Sequence, residues 1–317
     1  MKKRSLSVTI LMPIYNVENY LERSLMSVFK QTYQNVDYIF VDDCSSDNSL
    51  SILYKCIEDF GVDENRCKII SHEYNKGIAY SRSEILKQAK GDYVYFVDSD
   101  DWIEPEAIEM MMLATNEGEI DIIGCDFYVD CVNMQPKVCV EDYGFTCREN
   151  MIKCLNYDIA TVLWKLLIKR SVFDNFDISM INIGEDYIIS IKLFFFADSF
   201  FYLHKAFYHY SQYNPNRLSL QTLRSILDHV KCVKEVESFL REKKLYYGIV
   251  ENNLNLRKFN IISNFVLNKE LLSKVSYETI FPEVRGYWHK INYSWREKVK
   301  FWLADRGLFF FLKYYKM

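Results

Sequence analysis

The sequence lacks the patterns that mark several classes of protein. None of its nine cysteines falls in a CxxC pair. Cys125, Cys131, Cys139 and Cys147 are spaced too widely for a zinc knuckle, and no histidines cluster with them. We interpret the cysteines as reduced thiols, which is typical of a cytosolic protein. The sequence also has no internal repeat, low-complexity tract or Gly/Ser-rich linker.

Long apolar runs and an excess of positive charge are absent as well. No stretch approaches the ~18–20 apolar residues that a membrane-spanning helix needs. The start, MKKRSLSVTILMPIYN, imitates a signal peptide, but Ser7 and Thr9 interrupt its apolar part and no cleavage site follows, so we predict a buried strand. The net charge of −4 argues against nucleic acid as a partner. These features predict a cytoplasmic protein, at most peripheral on the inner face of the membrane.

The first 130 residues alternate between two hydrophobic periods. Short apolar runs rich in Val, Ile, Tyr and Phe occupy 8–12, 36–41, 68–71, 93–97 and 121–128. Segments with helical spacing lie at about 20–29, 47–60, 78–89 and 105–116, the last with Pro105 at its start. Strands alternating with helices of this length predict an α/β fold, a mostly parallel sheet flanked by helices.

Beyond residue 130 the alternation stops. TVLWKLLIKRSVF is predicted to be a buried segment leading into a short helix, GEDYIISIKLFFFADSFFYL a helix, and KAFYHYSQYNPNRLS a strand that runs into a loop. From Leu218 onward the pattern is helical. We therefore predict a first domain at 1–215 and a helical C-terminal region at 216–317. Half of the residues are hydrophobic, enough for one large core or two smaller ones.

Acidic or turn-forming stretches follow four of the predicted strands: MPIYN, VDDCSSDNS, HEYNKG and VDSDD. Ligands of parallel α/β sheets bind at the carboxyl ends of the strands, so these stretches predict a binding rim. In the last stretch, Asp98 and Asp100 form a D-x-D pair whose carboxylates suit Mg²⁺ or Mn²⁺ and leave positions for phosphate oxygens. The alternative is a solvated turn in which Asp101 caps the next helix.

Other rim residues have both a functional and a structural interpretation. Asp42 and Asp43 are placed to accept hydrogen bonds from a nucleobase or ribose, although acids after a strand are also common helix caps. Arg82 suits a phosphate, and a surface ion pair is the alternative. Tyr15 suits stacking on a base, and a core position is the alternative.

The GED stretch supplies a second pair of acids at the start of a predicted helix. The structural interpretation is that Glu185 and Asp186 stabilise the helix through a favourable interaction with the positive end of its dipole. If that helix faces the rim, one of the two carboxylates is a candidate general base for an alcohol.

Together these motifs resemble the bacterial family 2 glycosyltransferases. The stretch VTILMPIYNVENYLERSLMSVFKQTYQNVDYIFVDDCSSDNS, then NKGIAYSRS and GDYVYFVDSDDWIEP, carries the resemblance over about residues 6–110, and WKLLIKRSVF, GEDY and KAFYHYSQYNPNRLS continue it. The resemblance implies a GT-A fold over 1–215 and inverting transfer of a sugar from a nucleotide-diphosphate donor, expected to be a UDP-sugar. It also implies a divalent cation, Mn²⁺ or Mg²⁺, and a saccharide or lipid-linked acceptor in polysaccharide or glycoconjugate synthesis.

The resemblance also implies roles for individual residues. These are Pro13, Tyr15 and Asp43 at the nucleobase with Asp42 nearby, Arg82 near the nucleotide, Asp98 at the ribose or in the metal shell, Asp100 on the metal, and Asp186 as base with Glu185 beside it. The chain departs from the family pattern at Cys44 (usually Gly), Ser83 (usually Asn) and Ser211 (often Arg). Arg217 and His209 are the candidates to replace the missing arginine.

Two further questions stay open at the level of sequence. A nucleotidyltransferase of related fold, or a non-catalytic protein that binds sugar nucleotides, is the alternative function, although the first strand lacks a Gly-rich basic signature and GED is retained. Residues 285–317 carry eight Lys/Arg against two acids, net +6, among many aromatics. They suit an anionic membrane surface, or else packing against the chain's own domain or a second subunit in a homodimer.

Overall fold

The computed structural model describes residues 5–132, 134–212, 214 and 222–314. The chain forms two compact units, residues 1–151 with 159–217 and residues 152–158 with 218–317. The domain boundary predicted at 215/216 lies outside the described residues.

The first unit is built on one mixed sheet, in which the described residues contribute nine strands. They are β1 (Val8–Ile14), β2 (Val36–Asp42), β3 (Cys67–Ser71), β4 (Tyr93–Phe96), β5 (Trp102–Ile103), β6 (Ile122–Asp130), β7 (Lys137–Cys139), β8 (Leu166–Lys169) and β9 (Phe200–Ser211). The order is β3-β2-β1-β4-β8-β6-β9-β5, with β7 on β6. β3, β2, β1 and β4 are parallel, as the alternation of strands and helices predicts.

Helices flank this sheet, and the α/β fold class predicted from the sequence is confirmed. They are α1 (Leu21–Phe29), α2 (Ser49–Asp59), α3 (Ile78–Gln88), α4 (Ala107–Ala114), α5 (Cys147–Leu155) and α6 (Glu185–Phe196). The buried face of α1, with Leu21, Leu25 and Val28, belongs to the same core as Tyr93 and Tyr95 of β4. Burial of these apolar side chains holds the parallel strands under the helices.

Two local predictions need correction. Pro105 does not begin α4: the helix starts at Ala107, where the side-chain oxygen of Gln31 accepts from the N–H of Ile108 and satisfies one of the first free amides. The helix predicted over GEDYIISIKLFFFADSFFYL ends at Phe196, and residues 200–203 instead begin β9. Between β4 and β6 the sheet contains β8, which is antiparallel to both.

The second unit is helical, as predicted from Leu218 onward. Its described helices are α7 (Leu223–Glu242), α8 (Gly248–Leu267), α9 (Lys274–Thr279), α10 (Trp295–Asp305) and α11 (Phe309–Tyr314), with a 3₁₀ segment at Pro282–Lys290. Capping boxes fix the starts of α7, through Thr222 and Ser225, and of α10, through Ser294 and Glu297. Among the described residues, no helix has both the length and the apolar character needed to cross a bilayer.

Candidate active site

Arg82 of α3 draws together three carboxylates from two distant parts of the first unit. One of its terminal nitrogens, Nη1, donates to Glu185 and, at 2.6 Å, to Oδ1 of Asp186. The other, Nη2, donates at 2.8 Å to Oδ1 of Asp98, which follows β4. The Arg82 side chain is only 4% exposed, so the surface ion pair considered for it is wrong. A guanidinium buried this deeply needs such partners.

The cluster holds more negative than positive charge, and this shifts its protonation. Burial, followed by the charge of Asp186, raises the pKa of Glu185 to about 8, although Arg82 opposes the shift. Burial also raises the pKa of Asp186 to about 6, with Arg82 again opposing it. The two carboxyls therefore titrate as a pair that retains a proton near neutral pH.

Both acids stand at the first turn of α6, next to Gly184. This glycine has φ +90°, a left-handed conformation that turns the chain into the helix and disfavours other residues. The Asp186 side chain is 19% exposed and that of Glu185 is 6% exposed. Of the two, Asp186 is therefore the more accessible to a substrate. The rest of α6 is buried or half-buried along its whole length.

The loop after β4 projects a second carboxylate, Asp100. Its Oδ2 accepts from the Nδ2 of Asn214 at 3.0 Å. Burial, and then the charge of Asp98, raise the pKa of Asp100. Nη2 of Arg23, from α1, donates to the Asp100 carbonyl oxygen at 3.4 Å and to Oγ of Ser211 at 2.8 Å. Asp100 is thus held through its side chain by Asn214 and through its backbone by Arg23.

Asp101 does not cap a helix, and that interpretation is wrong. Its carboxylate is buried and accepts from the Tyr208 hydroxyl and from the Ser211 amide, each at 2.7 Å. The same hydroxyl accepts from the N–H of Asp98 at 3.1 Å. Asp101 therefore ties the acidic loop to β9, because only a buried acceptor satisfies the Tyr208 hydroxyl and the strand amide there.

The donor set suits a divalent cation. Asp98 and Asp100 offer hard carboxylate oxygens, and their mutual repulsion is the kind of imbalance that a cation relieves. Within the described residues, no group of three or more His, Cys, Asp or Glu could hold a metal ion. Protein-bound Mg²⁺ typically has one or two carboxylate ligands, and substrate oxygens and water fill its remaining coordination positions. Asp98 and Asp100 fit such an ion.

Asp43 lies at the end of β2 and is engaged by the loop that precedes α3. Its oxygens accept from the N–H of Lys76 at 2.7 Å and of Gly77 at 2.8 Å, and Nδ1 of His72 lies 2.6 Å from Oδ1. Because a carboxylate has about four acceptor positions, one remains for a ligand. Asp42 is buried beside it and accepts from the Ser45 amide at 3.3 Å.

Pro13 and Tyr15 occupy the end of β1 on the same rim. Pro13 is buried and pairs with Val41 of β2. The Tyr15 side chain is 47% exposed, so the core position considered for it is wrong. The structure therefore leaves an aromatic ring accessible beside the Asp42 and Asp43 strand end.

Two of the three departures from the family pattern, Cys44 and Ser211, have local structural explanations, and nothing in the structure explains Ser83. Cys44 has φ +62°, a left-handed conformation in which glycine costs least, which accounts for the usual glycine. Ser211 accepts from Arg23, which brings a guanidinium to the place of the missing side chain. His209 is stacked between Trp102 and Tyr128 and hydrogen-bonded to acids, whereas Arg217 lies outside the described residues.

Four contributors to the site were not singled out from the sequence: Arg23, His72, Tyr208 and Asn214. His72 lies within the rim stretch HEYNKG, and its position after β3 was the available signal. Arg23 and Tyr208 sit within a helix and a strand, and their sequence neighbours do not distinguish them from ordinary amphipathic positions.

The fold is that of the GT-A glycosyltransferases. The structure of S. aureus TarS residues 1–349 in complex with UDP-GlcNAc matches with a TM-score of 0.70 at 19% identity, covering 97% of this chain and 90% of that one. At this identity the likeness establishes the fold.

Comparison with known sequences points the same way. The profile described as Glycosyl transferase family 2 matches residues 9–163, so this region of the chain is similar to that family. The putative glycosyltransferase EpsH of Bacillus subtilis is 32% identical over 64% of this chain and 60% of its own length. The Escherichia coli enzyme WfgD, named as a UDP-Glc:alpha-D-GlcNAc-diphosphoundecaprenol beta-1,3-glucosyltransferase, is 42% identical over 34% of this chain and 42% of its own. The chain thus spans less than two thirds of these relatives.

Proposed function

We propose that this protein is an inverting glycosyltransferase that moves a sugar from a nucleotide-diphosphate donor, a UDP-sugar, to an acceptor hydroxyl. One observation carries the proposal: Asp98, Glu185 and Asp186 converge on Arg82 beside the Asp100 loop. A purely structural role does not require so many acids in one place, because burying like charges is costly.

In this proposal the nucleotide lies along the ends of β1 and β2. Tyr15 stacks on the base, and the remaining acceptor position of Asp43 receives a base N–H, with Pro13 and Asp42 shaping the pocket. The His72 and Lys76 contacts that hold Asp43 support this assignment, since a fixed acceptor discriminates between bases better than a mobile one.

Asp98 and Asp100 would hold Mn²⁺ or Mg²⁺. When bound, the cation supplies positive charge that stabilises the departing diphosphate. Arg82 orients the carboxylate of Asp98, and Asn214 orients one oxygen of Asp100.

Asp186 is the proposed general base, with Glu185 as its neighbour. The acceptor oxygen attacks C1 of the sugar while the bond from C1 to the phosphate oxygen breaks, and the hydroxyl proton passes to Asp186. Attack on the face opposite the leaving group inverts C1. The greater exposure of Asp186 supports this choice over Glu185. So does its lower pKa, about 6 against about 8 for Glu185, because Asp186 is then the first of the two to lose its proton as the pH rises.

The proposed acceptor is a saccharide or a lipid-linked saccharide of bacterial polysaccharide or glycoconjugate synthesis. The printed name of the E. coli relative, which includes a diphosphoundecaprenol acceptor, supports this class.

A donor panel tests the proposal. Incubation with UDP-, GDP- and TDP-sugars and Mn²⁺ or Mg²⁺ should give hydrolysis or transfer with one UDP-sugar. Asp186→Asn should lower turnover by about 10²–10⁴-fold and leave donor binding by calorimetry intact. Asp59→Asn, at an exposed acid ending α2, is the matched control and should change neither. Donor binding without turnover in the unaltered chain would instead identify a non-catalytic binding protein, and unchanged turnover in Asp186→Asn would remove the assigned base.

A further inference from the structure

Helix α10 presents aromatic rings to solvent on the side opposite its core. Trp295 and Trp302 are 66% and 44% exposed, and they lie seven positions apart, on one face of the helix. Phe301 and Ala304 are buried on the other side. The helix is therefore apolar on two faces, and burial within its own unit explains only one of them.

Helix α11 continues the exposed aromatic surface. Phe310 and Phe311 are 67% and 54% exposed, whereas Phe309 and Leu312 are buried. Single exposed apolar residues are normal, but four exposed large aromatics on two consecutive helices that contact each other indicate an interaction site.

Basic side chains accompany these rings. The Arg306 guanidinium lies 3.8 Å from the centroid of the Trp302 ring, and that of Arg296 lies 5.6 Å from the Trp295 ring. Lys298 is one turn from both tryptophans on the same helix. We call this set, Trp295, Arg296, Lys298, Trp302, Arg306, Phe310 and Phe311, the aromatic-basic face.

The two acids of this segment are committed elsewhere. Asp305 accepts from the Tyr277 hydroxyl and from Nε1 of Trp288, each at 2.8 Å. Glu297 accepts from the amide and hydroxyl of Ser294 in the capping box. Both acids keep their charge, but Arg296, Lys298, Lys300 and Arg306 outnumber them, so residues 295–306 carry a net positive charge.

From this arrangement we propose that the aromatic-basic face docks on an anionic lipid bilayer. Indole and phenyl rings partition into the interfacial region of a membrane, and Lys and Arg beside them attract anionic headgroups. Such a helix lies in the plane of the interface and does not cross it. The proposal concerns the second unit alone and does not depend on the donor chemistry.

Two other partners are less well matched to the surface. A second copy of the chain would place the same face on itself in a two-fold dimer and oppose positive charge to positive charge. Single-stranded nucleic acid is usually bound in a basic groove with stacking aromatics, whereas these rings stand on the outward side of consecutive helices.

Vesicle binding tests the proposal on the full chain without donor or acceptor. The protein should co-sediment with phosphatidylcholine vesicles containing phosphatidylglycerol, bind vesicles of phosphatidylcholine alone much more weakly, and lose binding at high salt. Its tryptophan emission should shift to shorter wavelength on binding. The Asp186→Asn variant should bind equally, which separates this result from the outcome of the activity assay.

Substitutions on the face decide the outcome. Arg296→Gln with Lys298→Gln should lower the partition coefficient about 25-fold, from about fivefold per charge. Trp295→Ala with Trp302→Ala should reduce it at least as much. Tyr247→Ala and Lys269→Gln, exposed positions of the same unit, are matched controls and should bind like the unaltered protein. Equal binding of all variants would overturn the proposal. The proposal would also be overturned if the protein did not bind vesicles but instead self-associated or bound an oligonucleotide, and if the two tryptophan substitutions abolished that interaction.

Discussion

Nη1 of Arg82 lies 2.6 Å from Oδ1 of Asp186, so the carboxylate that we assign as base is held by a buried guanidinium. The same side chain binds Asp98 on the opposite side of the cluster. One arginine thus links the carboxylate proposed for the cation with the carboxylate proposed for the acceptor proton. A change at Arg82 should consequently affect stability, cation binding and proton transfer together.

We expect Arg82→Gln to destabilise the first unit by about 3–5 kcal/mol, because three carboxylates then share a buried site with no cation. Arg82→Lys keeps the charge but loses the fork that reaches separate carboxylates, so it should cost less stability and still lower turnover. Urea unfolding and steady-state kinetics measure the two effects. If Arg82→Gln left the free energy of unfolding unchanged, the cluster would not be a cooperative unit.

The pH dependence of stability provides a second test. The pKa of Glu185 is raised from 4.5 to about 8, so the folded state holds a proton that the unfolded chain releases. This contribution is complete below pH 4.5 and is lost as the pH rises through about 8. Glu185→Gln should flatten the decline in unfolding free energy over that window, by up to about 5 kcal/mol. The comparison requires unfolding curves of both proteins across the window, and parallel curves would contradict the assignment.

Turnover should increase with pH, whereas stability decreases, because the base acts when it is deprotonated. With the pKa of Asp186 raised to about 6, activity should increase as the pH rises through that value. In Arg82→Lys the lysine ammonium is less well placed than the guanidinium to oppose the rise in the Asp186 pKa. The acidic limb of the pH–rate profile should therefore move to higher pH. A pH–rate profile at saturating donor measures it, and an unmoved limb would indicate that Arg82 does not set the protonation of the base.

The Tyr208 hydroxyl couples the acidic loop to β9 and gives a further prediction. Tyr208→Phe removes one partner of Asp101 and one of the Asp98 amide, and it should cost about 1–3 kcal/mol. Because the loop then loses one of its anchors, the Mn²⁺ concentration needed for half-maximal activity should also rise. Tyr54→Phe, at an exposed residue of α2, serves as the control and should alter neither quantity. Loss of stability with unchanged Mn²⁺ dependence would limit Tyr208 to a folding role.

The rim of the site was predictable because its determinants are local. Asp43 and Asp98 follow directly after apolar strand runs, and the parallel order of β2, β1 and β4 brings such ends to one edge. The GED pair was recognisable through the family resemblance, but its contact with Arg82 was not. The roles assigned to these residues stay predictions until the variants are measured.

Other parts of the site depend on contacts between residues far apart in the chain. Arg23 and Ser211 are separated by 188 positions, and neither has a neighbour that signals the hydrogen bond between them. Asp101 looked like a helix cap because capping is judged from adjacent residues, while its partner Tyr208 belongs to a strand 107 positions away. The insertion of β8 between β4 and β6 is equally non-local, since a four-residue apolar run does not specify its direction.

Helix α6 carries Glu185 and Asp186 on an element with no fully exposed residue. The proposed base is therefore preorganised by the hydrophobic core itself, and it needs no loop closure to reach its position. A substitution that repacks the buried side of this helix would therefore move the proposed base together with the core. The position of the base and the packing of the first unit are thus not independent variables.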